Sequence, residues 1–325
     1  MRFTKLFSLL TSIVILQSCT SKPGYWKNDQ ISSGKRSDFH SLNDQALKYL
    51  KANDANQLSF LESGELAQES DNLKNIETIS NDLNAADYTL FDEYYAVNKY
   101  KDYDTIRSAA QGIKNYTLVY PSEAQEMYIA IFLPKTGKDK NMITLMYAKY
   151  NYGWKISSLD EGPYTLNGKT APELFEDGKS QYDKKYLVDA VNTMALANSC
   201  LRPASIWQYP NENDMTNLYG RATYEANKQY KFPFVIQQVP THPRIIRIFN
   251  QSTSGGYYPG IYYLSSIKLK DTAALKKENE NIRKVIAGLI PGIDKDNKRL
   301  IYTVFNEMPN AMKNVGRFEI DQDLQ

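Results

Sequence analysis

The hydrophobic positions in the first half of the chain change from a helical pattern to a strand pattern. From Phe39 to about residue 110, apolar residues recur at steps of three and four, which predicts two helical regions at 39–66 and 71–110. From Asn115 the period changes to two. Four β-strands with turn residues between them are therefore predicted at 115–120, 126–133, 142–150 and 153–159, the last two forming a hairpin.

The segment ends in Gly153-Trp154-Lys155-Ile156. Helices followed by antiparallel strands with this ending resemble the cone-shaped α+β fold of the nuclear-transport-factor-like superfamily, over about residues 39–160 of a predicted domain at 39–165. That superfamily contains enzymes and binding modules, so the resemblance selects no function. Its enzymes place a His/Asp or Tyr/Asp pair in the cone, and His40 has no visible partner in the sequence. We therefore expect the cone to be a ligand pocket or a docking surface.

The helical pattern at 171–203 contains small residues at regular places. A tetratricopeptide repeat has small residues at its eighth, twentieth and twenty-seventh positions and closes with a proline. The corresponding residues here are Gly178, Ala190, Ala197 and Pro203. The segment thus resembles a single tetratricopeptide-like helical hairpin, in which small residues let two antiparallel helices approach closely. Because one repeat cannot bury both its faces, we expect a small helical middle segment at 166–230 that includes a further helix at 211–229.

The last third of the chain returns to a period of two. Three strands, a helix and a final strand are predicted at 234–239, 244–250, 260–269, 271–289 and 299–305. Asp271 is a good N-cap for the helix, and Pro291-Gly292 ends it. These elements predict a β-β-β-α-β domain at 231–310, and residues 311–325 are expected to be a tail. The whole chain is predicted to be α+β, with N-terminal helices, a curved antiparallel sheet and a helical middle.

The first twenty residues have the plan of a secretory signal peptide. Arg2 and Lys5 precede an apolar run of about ten residues, half of the ~20 that a membrane-spanning helix needs. The run closes on Leu16-Gln17-Ser18-Cys19, which resembles the lipobox of bacterial lipoproteins. The resemblance implies removal of a signal peptide at 1–18 and acylation of Cys19 on its thiol and its new amine. Two or more acyl chains hold a protein firmly on a membrane.

The residues after Cys19 refine the expected location. In lipoproteins an Asp directly after the cysteine can retain the protein in the inner membrane, and this chain has Thr20 there. Surface-exported lipoproteins often carry an acidic cluster, which Ser21–Lys27 lacks. We therefore expect a lipid anchor in the outer membrane, with the protein facing the periplasm. Residues 19–38, which are rich in Ser, Lys, Asn and Gly, are predicted to form a flexible spacer between the lipid and the folded part.

The charge balance argues against a nucleic-acid partner. The sequence has 39 Lys and Arg against 37 Asp and Glu, and loss of Arg2 and Lys5 with the signal peptide would leave 37 of each. A chain of zero net charge without a basic block lacks the electrostatic footprint that nucleic acid requires. With Cys19 acylated, Cys200 is the one remaining cysteine, so no internal disulfide is expected.

Few residues suit catalysis or metal binding. With two histidines, His40 and His242, and one free cysteine, no zinc site of ordinary ligands is expected. Cys200 is expected to be a small buried hydrophobe, and His242 to lie in a solvent-facing loop. The segment 294–298 begins like a calcium loop but lacks a Glu at its twelfth place, so a polar turn is predicted there. We therefore predict no enzymatic activity, no cofactor and no metal.

Aromatic residues near loops are the candidate binding contacts: Trp207, Tyr209, Tyr257 and Tyr258. In the loop 255–260, glycines beside two tyrosines are suited to stacking on a sugar or clamping a peptide, although the sequence favours the plainer interpretation of a hairpin that folds these tyrosines back on the sheet. The sequence favours a non-catalytic binding or adaptor module with an envelope protein or glycan as partner. A hydrolase acting on envelope glycans or peptides and a purely structural envelope lipoprotein stay open as alternatives.

Overall fold

The structure, a computed structural model, describes residues 22–99, 102–310 and 312–324. It contains α-helices and three β-sheets, which confirms the predicted α+β class. Cys19 and the predicted signal peptide lie outside the described residues. Within the described ranges, none of the helices combines the length and apolar character that a membrane crossing requires.

The first half of the chain contributes three helices and seven strands. In chain order these are β1 Gly24–Lys27, α1 Ser33–Lys51, α2 Ala55–Ser59, α3 Asn72–Ala85, β2 Tyr88–Val97, β3 Tyr103–Arg107, β4 Thr117–Pro121, β5 Glu126–Pro134, β6 Lys140–Tyr150 and β7 Gly153–Thr165. The four strands predicted between 115 and 159 are therefore present, and β6 and β7 form the predicted hairpin.

The second half adds four helices and six strands. They are α4 Ala171–Asp183, α5 Leu187–Ser199, β8 Trp207–Gln208, α6 Glu212–Gln229, β9 Phe234–Val235, β10 Arg244–Thr253, β11 Gly256–Leu264, α7 Thr272–Leu289, β12 Arg299–Phe305 and β13 Arg317–Asp323. The predicted helical middle and the predicted strand at 299–305 are both present. The predicted strand at 260–269 instead begins at Gly256 and ends at Leu264.

The centre of the fold is an antiparallel sheet in the order β1-β2-β5-β6-β7. Both of its faces are covered. Along β5, side chains such as Tyr128 and Phe132 join the core under α1 and α3, while Met127 and Ile131 join the core under α4 to α6. Burial on both faces explains why the sequence of β5 is almost continuously apolar instead of alternating.

The core between the helices and the central sheet fills the space in which we expected a cone-shaped pocket. Phe39 of α1 stacks on Tyr128 of β5 with ring centroids 4.1 Å apart, and the edge of Trp154 packs against Phe39. Phe39 is 2% exposed and Tyr128 is fully buried. The expectation of a ligand pocket at this place is therefore wrong, because large aromatic side chains occupy it.

The helical middle shares one hydrophobic core with the opposite face of the central sheet. Leu174 of α4, Met194 of α5 and Leu218 of α6 belong to the same buried cluster as Met127 and Met146 of the sheet. The predicted limit between residues 165 and 166 therefore does not separate two hydrophobic cores. The short sheet β3-β4-β8 closes the same cluster at one side.

The close approach predicted for the helical hairpin is confirmed. A Cβ atom on Gly178 would lie 2.7 Å from Cγ of Met194 and 3.4 Å from the carbonyl oxygen of Ala190, so α4 and α5 touch where the side chain is missing. Helix α4 begins with the capping box of Thr170 and Glu173. The resemblance to a tetratricopeptide repeat itself stays a prediction.

The C-terminal sheet has the order β13-β12-β11-β10-β9, with β11 and β12 parallel and joined by α7. Helix α7 covers one face, where Leu275, Ile282 and Ile286 pack on the strands. The predicted tail is wrong for residues 317–323, because β13 pairs with β12 over its full length. The alternation of Phe318 and Ile320 with charged residues was the available signal.

Two further predictions of local structure are wrong. The spacer expected at 19–38 belongs to the fold from Gly24 onward, because β1 pairs with β2 and Trp26 stacks on Tyr95 with centroids 5.4 Å apart. Helix α1 also begins at Ser33 rather than at Phe39. The helical region expected at 71–110 ends at Ala85, and the apolar residues that continued its spacing lie on β2.

Candidate functional site

A cleft of about 610 Å³ lies where the helical middle meets the C-terminal sheet, and we call it the junction cleft. Its walls come from the turn between β5 and β6, the loop before α4, the helices α4 and α5, the hairpin between β10 and β11, and the loop before β12. Its lining residues are Lys138, Asn167, Lys169, Leu174, Asp177, Ser180, Gln181, Lys184, Thr193, Leu196, Gly255, Tyr257, Tyr258, Asp296, Asn297 and Lys298.

The junction cleft carries an excess of positive charge. Four lysines and two aspartates line it, and Lys169 forms an ion pair with Asp177. The other lysines are Lys138, Lys184 and Lys298; all three are exposed, and none has an ion-pair partner among the residues that the structure describes. Three lysines from three separate segments therefore line a common space, which favours an anionic ligand.

The hairpin that carries Tyr257 and Tyr258 is fixed to the loop before α4 by Asn167. The backbone N–H of Tyr257 donates to Oδ1 of Asn167 over 2.8 Å, and Nδ2 of Asn167 donates to the carbonyl oxygen of Tyr257 over 2.9 Å. Gly256 has a φ of 123°, and a Cβ there would lie 2.5 Å from Oδ1 of Asn167. Only glycine fits this turn without displacing the contact.

The opposite wall is fixed by a buried carboxyl group on α5. Nδ2 of Asn297 donates to Oδ1 of Asp189 over 2.9 Å, and Oδ2 of Asp189 has no hydrogen-bond partner among the described residues. Asp189 is 3% exposed. Its burial raises the pKa of this carboxyl to about 7, the carboxylates of Asp296 and Asp294 push it in the same direction, and the bond from Asn297 opposes them. Asp189 therefore holds the loop before β12 against α5.

The four predicted contact residues do not form one site. Tyr257 and Tyr258 line the junction cleft, partly exposed. Trp207 and Tyr209 are 1% and 5% exposed, and Trp207 stacks on Tyr116 with centroids 3.7 Å apart. Their assignment as contacts is wrong, because both rings belong to the hydrophobic core under the helical middle.

The lysines of the junction cleft are the residues that the sequence did not reveal. The segment between the predicted strands at 126–133 and 142–150 contains three lysines in six residues, at positions 135, 138 and 140, and this local cluster was the one available signal. Lys169, Lys184 and Lys298 are far apart in the sequence, and no local pattern connects them.

His40 has a partner that the sequence did not show. Its Nε2 lies 3.1 Å from both carboxylate oxygens of Glu93 on β2, and the phenol of Tyr128 donates to Glu93 Oε2 over 2.8 Å. Nε of Arg36 also donates to Glu93 over 2.7 Å, and the Glu93 side chain is 1% exposed. The carboxylate is thus surrounded by partners that fix α1 to the central sheet.

The remaining candidates agree with a structural role. Cys200 is buried, and its burial raises the pKa of the thiol to about 12, so the thiol stays protonated near neutral pH. His242 is exposed in a turn before β10. Within residues 22–99, 102–310 and 312–324, no group of three or more His, Cys, Asp or Glu side chains is placed to hold a metal ion.

No protein-family model matches the chain, and neither the curated proteins nor the solved structures with which it was compared give a match.

Proposed function

We propose that the chain is a non-catalytic lipoprotein of the bacterial envelope, tethered by acylated Cys19, and that it binds an envelope partner or ligand in the junction cleft. The observation that carries the binding role is the convergence of Lys138, Lys184 and Lys298 on one space of about 610 Å³, without ion-pair partners among the described residues. The lipid anchor in the outer membrane rests on the sequence of residues 1–20. Tyr257 and Tyr258 add ring surface at the rim of the cleft.

A hydrolase of envelope glycans receives no support from the acid pair at the surface of the central sheet. Glu161 has its pKa raised to about 7 by burial and by the carboxyl group of Asp82, with which it shares a hydrogen bond. Glycosidases need two carboxyl groups roughly 5–9 Å apart with the sugar between them. Because the carboxyl groups of Asp82 and Glu161 are in direct hydrogen-bonding contact, a sugar cannot lie between them.

The proposal is tested in living cells with a photo-crosslinking amino acid at Ser180, which is exposed on α4 and lines the junction cleft, so that all its lysines are kept. The matched control carries the same amino acid at Tyr224, which is 70% exposed on α6 and does not line the cleft. A second control combines the Ser180 probe with Cys19→Ala.

We expect a defined adduct from Ser180 that is absent from Tyr224 and lost with Cys19→Ala. Equal adducts from both positions, or none from Ser180 at normal protein levels, would overturn the binding role and leave the purely structural lipoprotein. A Ser180 adduct that persists with Cys19→Ala would instead overturn the role of the anchor.

A further inference from the structure

Two more hollows continue from the junction cleft around the turn between β5 and β6. The second hollow, of about 480 Å³, shares Lys138 with the junction cleft. The third, of about 360 Å³, shares Lys135 with the second. The three therefore follow one another along the surface, and we call them together the lysine groove. A groove of three linked hollows suits an extended ligand better than a compact one.

The lysine groove is strongly cationic in a chain whose mature charge is balanced. The lysines that line it are Lys51, Lys135, Lys138, Lys140, Lys169, Lys184 and Lys298. Its acidic residues are Asp87, Asp177 and Asp296. In the described part of the chain, only Lys169 of the seven lysines forms an ion pair. Since separated charges of one sign attract a polymer that repeats the opposite sign, the groove is suited to a polyanion.

Aromatic rings lie in two of the three hollows. Phe91, which is 42% exposed, and Tyr164 line the second hollow with ring centroids 5.9 Å apart. Tyr257 and Tyr258 line the first. Rings for the C–H faces of sugars therefore accompany the charges.

We propose that the lysine groove binds an acidic polysaccharide, with ammonium groups meeting its carboxylates and the rings stacking on its sugars. The proposal rests on the proposed function of the junction cleft and extends that site along the two neighbouring hollows. No arginine lines the groove. A lysine ammonium group binds carboxylates and phosphates alike as a point charge, so the preference for a polysaccharide rests on the rings and on the proposed place in the envelope, and the thymidine decamer tests it against a phosphate polymer.

The test measures binding of the full chain in detergent to a decamer of galacturonic acid by calorimetry at two salt concentrations. A maltose-type decamer supplies the neutral comparison, a glutamate decamer the acidic peptide, and a thymidine decamer the nucleic acid. One variant changes Lys51, Lys135 and Lys140, which line only the second and third hollows, to Gln, and a second changes the junction-cleft residues Lys138, Lys184 and Lys298 to Gln. The matched control changes Lys276, Lys277 and Lys284 to Gln, all exposed on α7 and outside the groove.

We expect the galacturonate decamer to bind most tightly and to weaken with salt. The 51/135/140 variant should weaken it about ten- to thirtyfold, since each exposed ion pair contributes about two- to threefold. The α7 variant should bind like the wild type. Stronger binding of the neutral sugar, the peptide or the nucleic acid would overturn the acidic-polysaccharide proposal.

The variants also separate this proposal from the function on which it rests. If galacturonate binding weakens with the 138/184/298 variant but not with the 51/135/140 variant, the ligand occupies the junction cleft alone, and the extended groove is wrong. If neither variant changes the binding of any probe, the junction cleft loses its binding role as well.

Discussion

The buried carboxyl group of Asp189 makes a quantitative prediction about stability. Its pKa is about 7 in the folded chain, against an ordinary value of 3.8. Between pH 4 and 7 the folded state therefore keeps a proton that the unfolded state has released. The contribution of Asp189 to stability is greatest below pH 4, decreases as the pH rises to about 7, and is constant above it. The difference between about 7 and 3.8, at about 1.4 kcal/mol for each pH unit, amounts to about 4 kcal/mol.

Asp189→Asn removes this dependence while keeping the shape of the side chain. The amide oxygen can still accept the bond from Nδ2 of Asn297, and the uncharged group carries no cost of burying a charge. At pH 4.5 we expect the variant to be more stable by only about 1 kcal/mol, because the unfolded wild type has already released most of the proton at that pH. At pH 8 the variant should be more stable by up to about 4 kcal/mol.

Urea unfolding followed by tryptophan fluorescence, repeated from pH 4.5 to 8.5, measures the difference. Asp183→Asn is the matched control, because Asp183 is exposed at the end of α4. The control should run parallel to the wild type at every pH. A constant difference between Asp189→Asn and the wild type across this range would refute the reasoning, because it would mean that Asp189 is already ionised in the folded chain at low pH.

Two further predictions concern glycines. Gly178→Leu should lower the free energy of unfolding by about 1–3 kcal/mol, because a side chain there would collide with Met194. As a control, Gly220→Ala on the open face of α6 should raise the free energy of unfolding by about 0.5–1 kcal/mol. Equal effects of the two substitutions in urea unfolding would contradict the packing of α4 on α5. Gly256→Ala should cost about 1–3 kcal/mol and weaken ligand binding in the junction cleft, with Gly255→Ala as the milder comparison. If Gly256→Ala leaves ligand binding unchanged, the hydrogen bonds between Asn167 and the hairpin do not position the junction cleft.

The sequence predicted the elements with strong local periodicity and missed those without it. Strand β5 was predicted because residues 126–133 are β-rich, whereas the burial of both its faces was not predicted, although its nearly uninterrupted apolar run fits such burial. The helix predicted at 71–110 was too long, because Leu90 and Tyr94 continue the spacing of α3 by coincidence. Strand β1 has no alternation to recognise and exists because it pairs with β2.

The candidate site was less predictable than the fold, since long-range contacts build it. Asn167 and Tyr257 are 90 positions apart in the chain, and Asp189 and Asn297 are 108 apart. Neither pair has a sequence pattern. The tyrosines of the hairpin were recognisable from their glycine-rich loop, whereas Trp207 looked similar and is buried, because a ring near a loop can face either way.

The early start of the fold at Gly24 limits how far the protein can reach from its proposed anchor. Five residue steps separate Cys19 from β1, and a fully extended chain of that length spans only about 18 Å. A spacer continuing to residue 38 would have allowed a distance of up to ~70 Å between the lipid and the folded part. The edge of the central sheet at β1 would therefore stay close to the lipid surface, and the orientation of the folded part would be restricted. A partner that binds the folded part would therefore have to lie no farther from the membrane than the folded part itself extends.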